Sequence, residues 1–108
     1  MMIKVIVSRQ LSEGVEPNYE ILLKEALQTV VIASGFISAE SLVDVNDANH
    51  RLLISHWTDI QSWQKWLYSE ARKNLVGQIR PMLCYEEEVK IYIHSEQHLG
   101  LVSVTPHR

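Results

Sequence analysis

Apolar side chains alternate along the start of the chain, Ile3, Val5 and Val7 interleaving with Lys4, Ile6 and Ser8, until Ser12-Glu13-Gly14 ends the run. A period of two with β-branched residues predicts a strand. After Pro17, which a first helical turn tolerates, Leu22, Leu23, Ala26, Leu27, Val30, Val31 and Ala33 recur at three- and four-residue spacing. They predict a helix that runs to Gly35, a residue suited to a left-handed C-cap. Phe36, Ile37, Leu42 and Val43 mark a second strand over 36–45, and Asn46-Asp47-Ala48-Asn49 has turn chemistry. Arg51 to Trp57 then reads as a third strand, forming a hairpin with the second.

Thr58-Asp59-Ile60-Gln61 fits a capping box, with Thr58 as the cap and Gln61 returning the hydrogen bond. The helix it opens carries Ile60, Trp63, Trp66 and Leu67 on one stripe. A second register, Ala71, Leu75, Val76, Ile79, Met82 and Leu83, starts after Ser69, so a break is expected there. Pro81 stops the helix, and Val89 to Ile93 alternates again as a fourth strand. The order βαββαβ is that of a ferredoxin-like α+β domain, with one antiparallel sheet and both helices on one face.

The other sheet face is also apolar. Leu52, Ile54 and His56 lie opposite Leu53, Ser55 and Trp57 by strand parity, and both sets carry apolar side chains. A second copy of the chain is the economical cover, so a homodimer is expected. Residues 1–94 read as the domain and 95–108 as a tail, whose Leu99, Leu101, Val102 and Val104 suit an extra edge strand or an arm on the partner.

Composition narrows the function classes. The chain has 108 residues, ten Lys and Arg against thirteen Asp and Glu, and a formal charge of −3. That is one domain with no summed basic field, which argues against nucleic acid or anionic lipid as a partner. The start lacks the h-region and cleavage site of a signal peptide, and no apolar run approaches the roughly 20 residues of a membrane span. Cytoplasmic location is the expectation. Cys84 is the lone cysteine and reads as a small buried hydrophobe.

Candidate chemistry is sparse. Trp57, Trp63 and Trp66 are all the tryptophans present and fall within ten residues, offering either core packing or stacking surface for a flat phenol or quinone. Arg9 at a strand end reads first as an arginine reaching to water; turned inward, it would orient an anionic phenolate or carboxylate. His56 has the right pKa range for a general base, with Tyr68 or Arg72 assisting, yet its parity favours a structural or interfacial role. His94 and His98 are four apart without a third ligand nearby, which is a weak metal signal. Glu86-Glu87-Glu88 reads as a solvated approach to the last strand. Phosphate-binding glycine loops, a nucleophile elbow and a dinucleotide fingerprint are lacking.

With the third strand ending in Trp57, the polar helix start and Trp66-Leu67-Tyr68-Ser69-Glu70-Ala71-Arg72, the chain from about Ile3 to His94 resembles the antibiotic-biosynthesis-monooxygenase domain family. The resemblance implies ferredoxin-like domains paired into a dimeric α+β barrel. It also implies cofactor-independent oxidation of a small aromatic or quinol substrate, or else a non-catalytic dimeric binding or stress-response module of the same fold. The haem-degrading branch has an Asn where Arg9 stands and a His where Val76 stands, which speaks against haem. In the polyketide-oxidising branch the strand Asn falls on Leu53, and the helix Arg has only Arg72 and Arg80 as neighbours. The implied pocket lies between helices and sheet, lined by Arg9, Leu53, Ser55, Trp57, Trp63, Trp66 and Ile79, with no cofactor expected.

Overall fold

The structure is a computed structural model, and it describes residues 1–95. Four strands, β1 (Ile3–Gln10), β2 (Phe36–Asp44), β3 (Asp47–Trp57) and β4 (Glu88–Ile93), form one antiparallel sheet in the order β2-β3-β1-β4. Helix α1 (Glu16–Val30) joins β1 to β2, while α2 (Ile60–Leu67), α3 (Glu70–Ile79) and a short 3₁₀ turn (Arg80–Met82) lead to β4. This is the ferredoxin-like α+β plan that the sequence pattern predicts.

Side-chain parity fixes which face is covered. Ile3, Val5, Val7 and Arg9 of β1 are buried, and their β3 partners Trp57, Ser55, Leu53 and Arg51 share that face, because directly opposed residues in an antiparallel pair point the same way. Val5 and Trp57 have no exposed surface at all. Val30 of α1 and Trp63 of α2 complete one core cluster with them; Leu11, Tyr19, Leu22, Leu23 and Ile79 make a second beside it.

Three boundaries differ from the sequence pattern for local reasons. The helix α1 ends at Val30, leaving Ile32 85% exposed, and Gly35 serves instead the turn into β2 with φ of +82°. A side chain at Gly35 would overlap that of Ser62, and its carbonyl accepts the Thr58 N–H at 2.8 Å. Its conformation therefore ties the start of β2 to the start of α2. The hairpin turn is shorter than the tetrapeptide Asn46–Asn49. Asp44 takes the Asn46 N–H and Asp47 takes the Asn49 N–H, so the turn closes at Val45-Asn46 and β3 begins at Asp47. The helix cap is Asp59 rather than Thr58: its carboxylate accepts the Ser62 N–H at 2.8 Å, and Thr58 donates to Asp59.

Ser69 breaks the second helical segment as its register change implies. Its hydroxyl donates to the Trp66 carbonyl at 2.7 Å and accepts the Arg72 N–H, capping α3. Cys84 is exposed, so the expected buried role is corrected; the chain after Pro81 runs along the surface, with the thiol donating to the Leu11 carbonyl. The sheet's second face carries Ile6, Leu52, Ile54 and His56 half-buried, with Leu42 and Tyr92 exposed. The expectations for His98, Leu99, Leu101, Val102 and Val104 lie outside the described residues. Among the described residues no helix is long and apolar enough to cross a membrane.

Candidate active site

Between the sheet and the three helices lies a small cavity of about 40 Å³. All seven residues expected there, Arg9, Leu53, Ser55, Trp57, Trp63, Trp66 and Ile79, line it, together with Val7, Phe36, Ala39, Arg72, Leu75 and Val76 among others. Phe36 and Ala39 are three apart in β2, yet both face inward because a register shift between Phe36 and Ser38 inserts one extra residue, Ile37.

The tryptophans differ in kind. Trp57 is wholly enclosed, meets Phe36 and Trp63 edge to face at centroid distances of 5.4 and 5.7 Å, and donates its indole N–H to Ser55 Oγ at 3.0 Å. Its donor is thus already used within the core. Trp66 is half-buried and stands between the cavity and an outer groove that it shares with Ala33, Ser62, Lys65 and Ser69.

One wall of the cavity is charged. Arg9 does not reach to water; it is 5% exposed, because it continues the inward parity of Ile3, Val5 and Val7 and finds partners there. Its Nε and Nη2 donate to Glu87 Oε1 at 3.0 and 2.9 Å, and its Nη1 donates to the Tyr19 hydroxyl at 3.1 Å. Arg72, on the first turn of α3, donates from Nη2 to Glu87 Oε2 at 2.7 Å, and its guanidinium lies 5.5 Å from the Trp63 ring centroid, in cation–π range. Burial pushes the Glu87 carboxyl up, but Arg9 and Arg72 together hold it below the ordinary value. Burial likewise works against the charged Arg9, and Tyr19 and Glu87 outweigh it, raising its pKa. Both groups stay ionised.

Glu87 is the residue the sequence pattern misassigns. The run Glu86-Glu87-Glu88 is not uniformly solvated: the Glu86 and Glu88 side chains are exposed, while that of Glu87 is 9% exposed. The signal was parity. Ile91 and Val89 oppose the inward Val5 and Val7, and Glu87 is two residues further back along that row. Tyr19, whose ring lies 5.6 Å from the Arg51 guanidinium, has no signal in the sequence pattern, since on a helix it reads only as one more core aromatic.

His56 sits on the open face, with Nδ1 3.2 Å from Ser38 Oγ, and Tyr68 is exposed; of the three proposed proton handlers, Arg72 is the one at the cavity. No group of three or more His, Cys, Asp or Glu among the described residues is arranged to hold a metal ion. Val76, at the position of the histidine ligand in the haem-degrading branch, presents an alkyl side chain to the cavity, and no imidazole lines it among the described residues.

The sheet order, the helices on one face and the cavity between them define a ferredoxin-like α+β domain. The chain belongs to the antibiotic biosynthesis monooxygenase family, whose model matches residues 2–78. No curated protein sequence matches it. A conserved protein from Methanosarcina mazei Go1 has a similar structure, with a TM-score of 0.84 at 18% identity, covering 88% of this chain and 94% of that one. SnoaB, a cofactor-independent oxygenase from Streptomyces nogalater, gives 0.80 at 13% identity, over 90% and 96% of the two chains. Rv0793 from Mycobacterium tuberculosis gives 0.81 at 12%, over 91% and 99%. At these identities the likeness is one of fold.

Proposed function

We propose that this protein is a monooxygenase that oxidises a small electron-rich aromatic, a phenol or quinol, with O₂ and without flavin or metal, and that Arg9, Leu53, Ser55, Trp57, Trp63, Trp66 and Ile79 contact the substrate. The observation that carries the reading is the cavity itself, apolar on most sides, with the rings of Phe36, Trp57, Trp63 and Trp66 and two guanidiniums in its wall, in a chain of a monooxygenase family. Ground-state O₂ is a triplet and reacts slowly with closed-shell molecules. A phenolate overcomes this by giving up one electron, so the protein's task is to favour the anion and keep water out. Guanidinium groups in a dry pocket lower the pKa of a bound phenol and stabilise the charge that develops. The substrate supplies all four electrons: a ring C–H carbon and the phenol C–OH become two carbonyls, one atom of O₂ is the oxygen of the new carbonyl and the other leaves as water with the two hydrogens.

The cavity has room for about three waters, whereas pockets for drug-sized ligands run to about 300 Å³ or more. An aromatic substrate must therefore displace a wall, and Trp66, half-buried with the outer groove behind it, is the wall that yields. Oxygen uptake with dihydroxynaphthalenes and anthrones tests the reaction; tight binding without uptake would leave a non-catalytic binding module. Trp66→Phe is expected to weaken binding of these compounds about tenfold with a small change in thermal stability. A large fall in melting temperature at unchanged affinity would make Trp66 a packing residue only.

The reading includes a cytoplasmic homodimer joined through the open sheet face. Ile6, Leu52 and Ile54 form an apolar strip there, and burying such a strip against its copy supplies the main driving force for association. Light scattering at micromolar concentration should give twice the chain mass, and Ile54→Asp should give the monomer with its circular dichroism retained. A monomeric wild type would remove the dimer.

A further inference from the structure

We infer that the cavity selects an aromatic monocarboxylate over neutral aromatics of the same shape, and that Glu87 sets this selectivity by cancelling one of the two guanidinium charges at the wall. The inference rests on the reading of the cavity as a site for a small aromatic, and it names the class. Arg9 and Arg72 both line the cavity, and Glu87 bonds to both, one carboxylate oxygen to each. Two positive charges and one negative leave one net positive charge facing an otherwise apolar space. In such surroundings a lone charge is poorly screened, and its complement is a single negative charge.

The form of that charge follows from the donors. A guanidinium is a planar fork that matches a carboxylate, and Arg72 lies against the Trp63 ring, so ring surface and positive charge sit side by side. An aryl carboxylate presents the two complements, a ring face and a negative charge, side by side. A phenol with a pKa near about 10 is neutral when it arrives at pH 7, whereas a carboxyl with a pKa of about 4 is already charged. A phosphate ester, at close to two negative charges, would overbalance the site.

The probes are 1-hydroxy-2-naphthoate and its neutral amide, 1-hydroxy-2-naphthamide, followed by quenching of tryptophan fluorescence, since all three tryptophans line the cavity. The carboxylate is expected to bind about tenfold or more tightly than the amide, as a charge-assisted pair would give. Arg72→Gln leaves Glu87 to Arg9 alone, and the preference, read as the ratio of the two affinities, should fall to about threefold or less. Arg80→Gln removes a surface charge paired with Glu86 and should change neither. Equal affinities in the wild type overturn the inference and leave the aromatic reading standing, and this arm decides the matter even if Arg72→Gln fails to fold. A tenfold preference that survives in Arg72→Gln also overturns it. Binding of neither probe overturns both readings. Preference for the carboxylate without oxygen uptake supports the selectivity and counts against turnover.

Discussion

Glu87→Leu is expected to destabilise the protein by about 3 kcal/mol, lowering the melting temperature by about 12 °C or more. The substitution removes the carboxylate that Arg9 and Arg72 share and leaves two guanidiniums with 5% and 10% side-chain exposure facing an apolar side chain. Breaking a buried ion pair from one side costs about 3–5 kcal/mol because the orphaned charge remains desolvated. The lower end applies here, since Arg9 keeps its bond to Tyr19 and Arg72 its contact with Trp63. Glu87→Gln isolates the charge, and its signature is in the pH dependence. The folded-state pKa of Glu87 is held below the unfolded value of 4.5, so its contribution is fully present above that pH and is lost as pH falls through the folded pKa. Wild type and Glu87→Gln should therefore differ in melting temperature by a constant amount from pH 8 to 5, and the gap should close on acidification below 4.5. Asp44 and Asp59, also lowered by their hydrogen bonds, titrate in both proteins and cancel in the difference. A gap unchanged down to pH 3 would mean that Glu87 acts by shape alone.

The same residue shows where a single sequence is legible and where it is not. Strand parity carried most of the site: once Trp57 is inside, Ser55 and Leu53 are inside, and the structure gathers all three at the cavity. Parity also contained the positions of Arg9 and Glu87, each two residues along from inward apolar partners. What hid them was side-chain chemistry. An isolated Arg or Glu is costly to bury, so each taken alone belongs in water, and the exception exists only because the two meet. They are 78 residues apart in the chain, and their meeting depends on β4 pairing beside β1. That pairing makes them neighbours, and no local pattern encodes it. The boundary errors are of another kind. Asp59 and Thr58 both suit a helix cap, and Gly35 suits either a helix end or a strand start, so the choice falls to contacts between α2 and the start of β2.

Trp57→Ala should be the most damaging single change in the core, at about 4 kcal/mol. The side chain has no exposed surface and fills the space between Phe36 and Trp63, so its removal forfeits the transfer energy of a large aromatic and two edge-to-face contacts. It also leaves Ser55 Oγ, 8% exposed as a residue, without the indole donor. Because β3 is an inner strand, paired with β1 on one side and β2 on the other, the void cannot close by moving an edge. Trp57→Phe keeps most of the ring and loses chiefly the N–H, so it should cost about 1–3 kcal/mol. Urea unfolding followed by far-ultraviolet circular dichroism measures both without relying on the fluorescence that the substitutions alter. The order expected is Trp57→Ala well below Trp57→Phe, with Trp66→Phe close to the wild type, because Trp66 is half-buried and has the outer groove beside it. Equal losses at Trp57→Phe and Trp66→Phe would place both rings in one rigid core, and the movable wall that admits an aromatic to the cavity would have to be sought elsewhere.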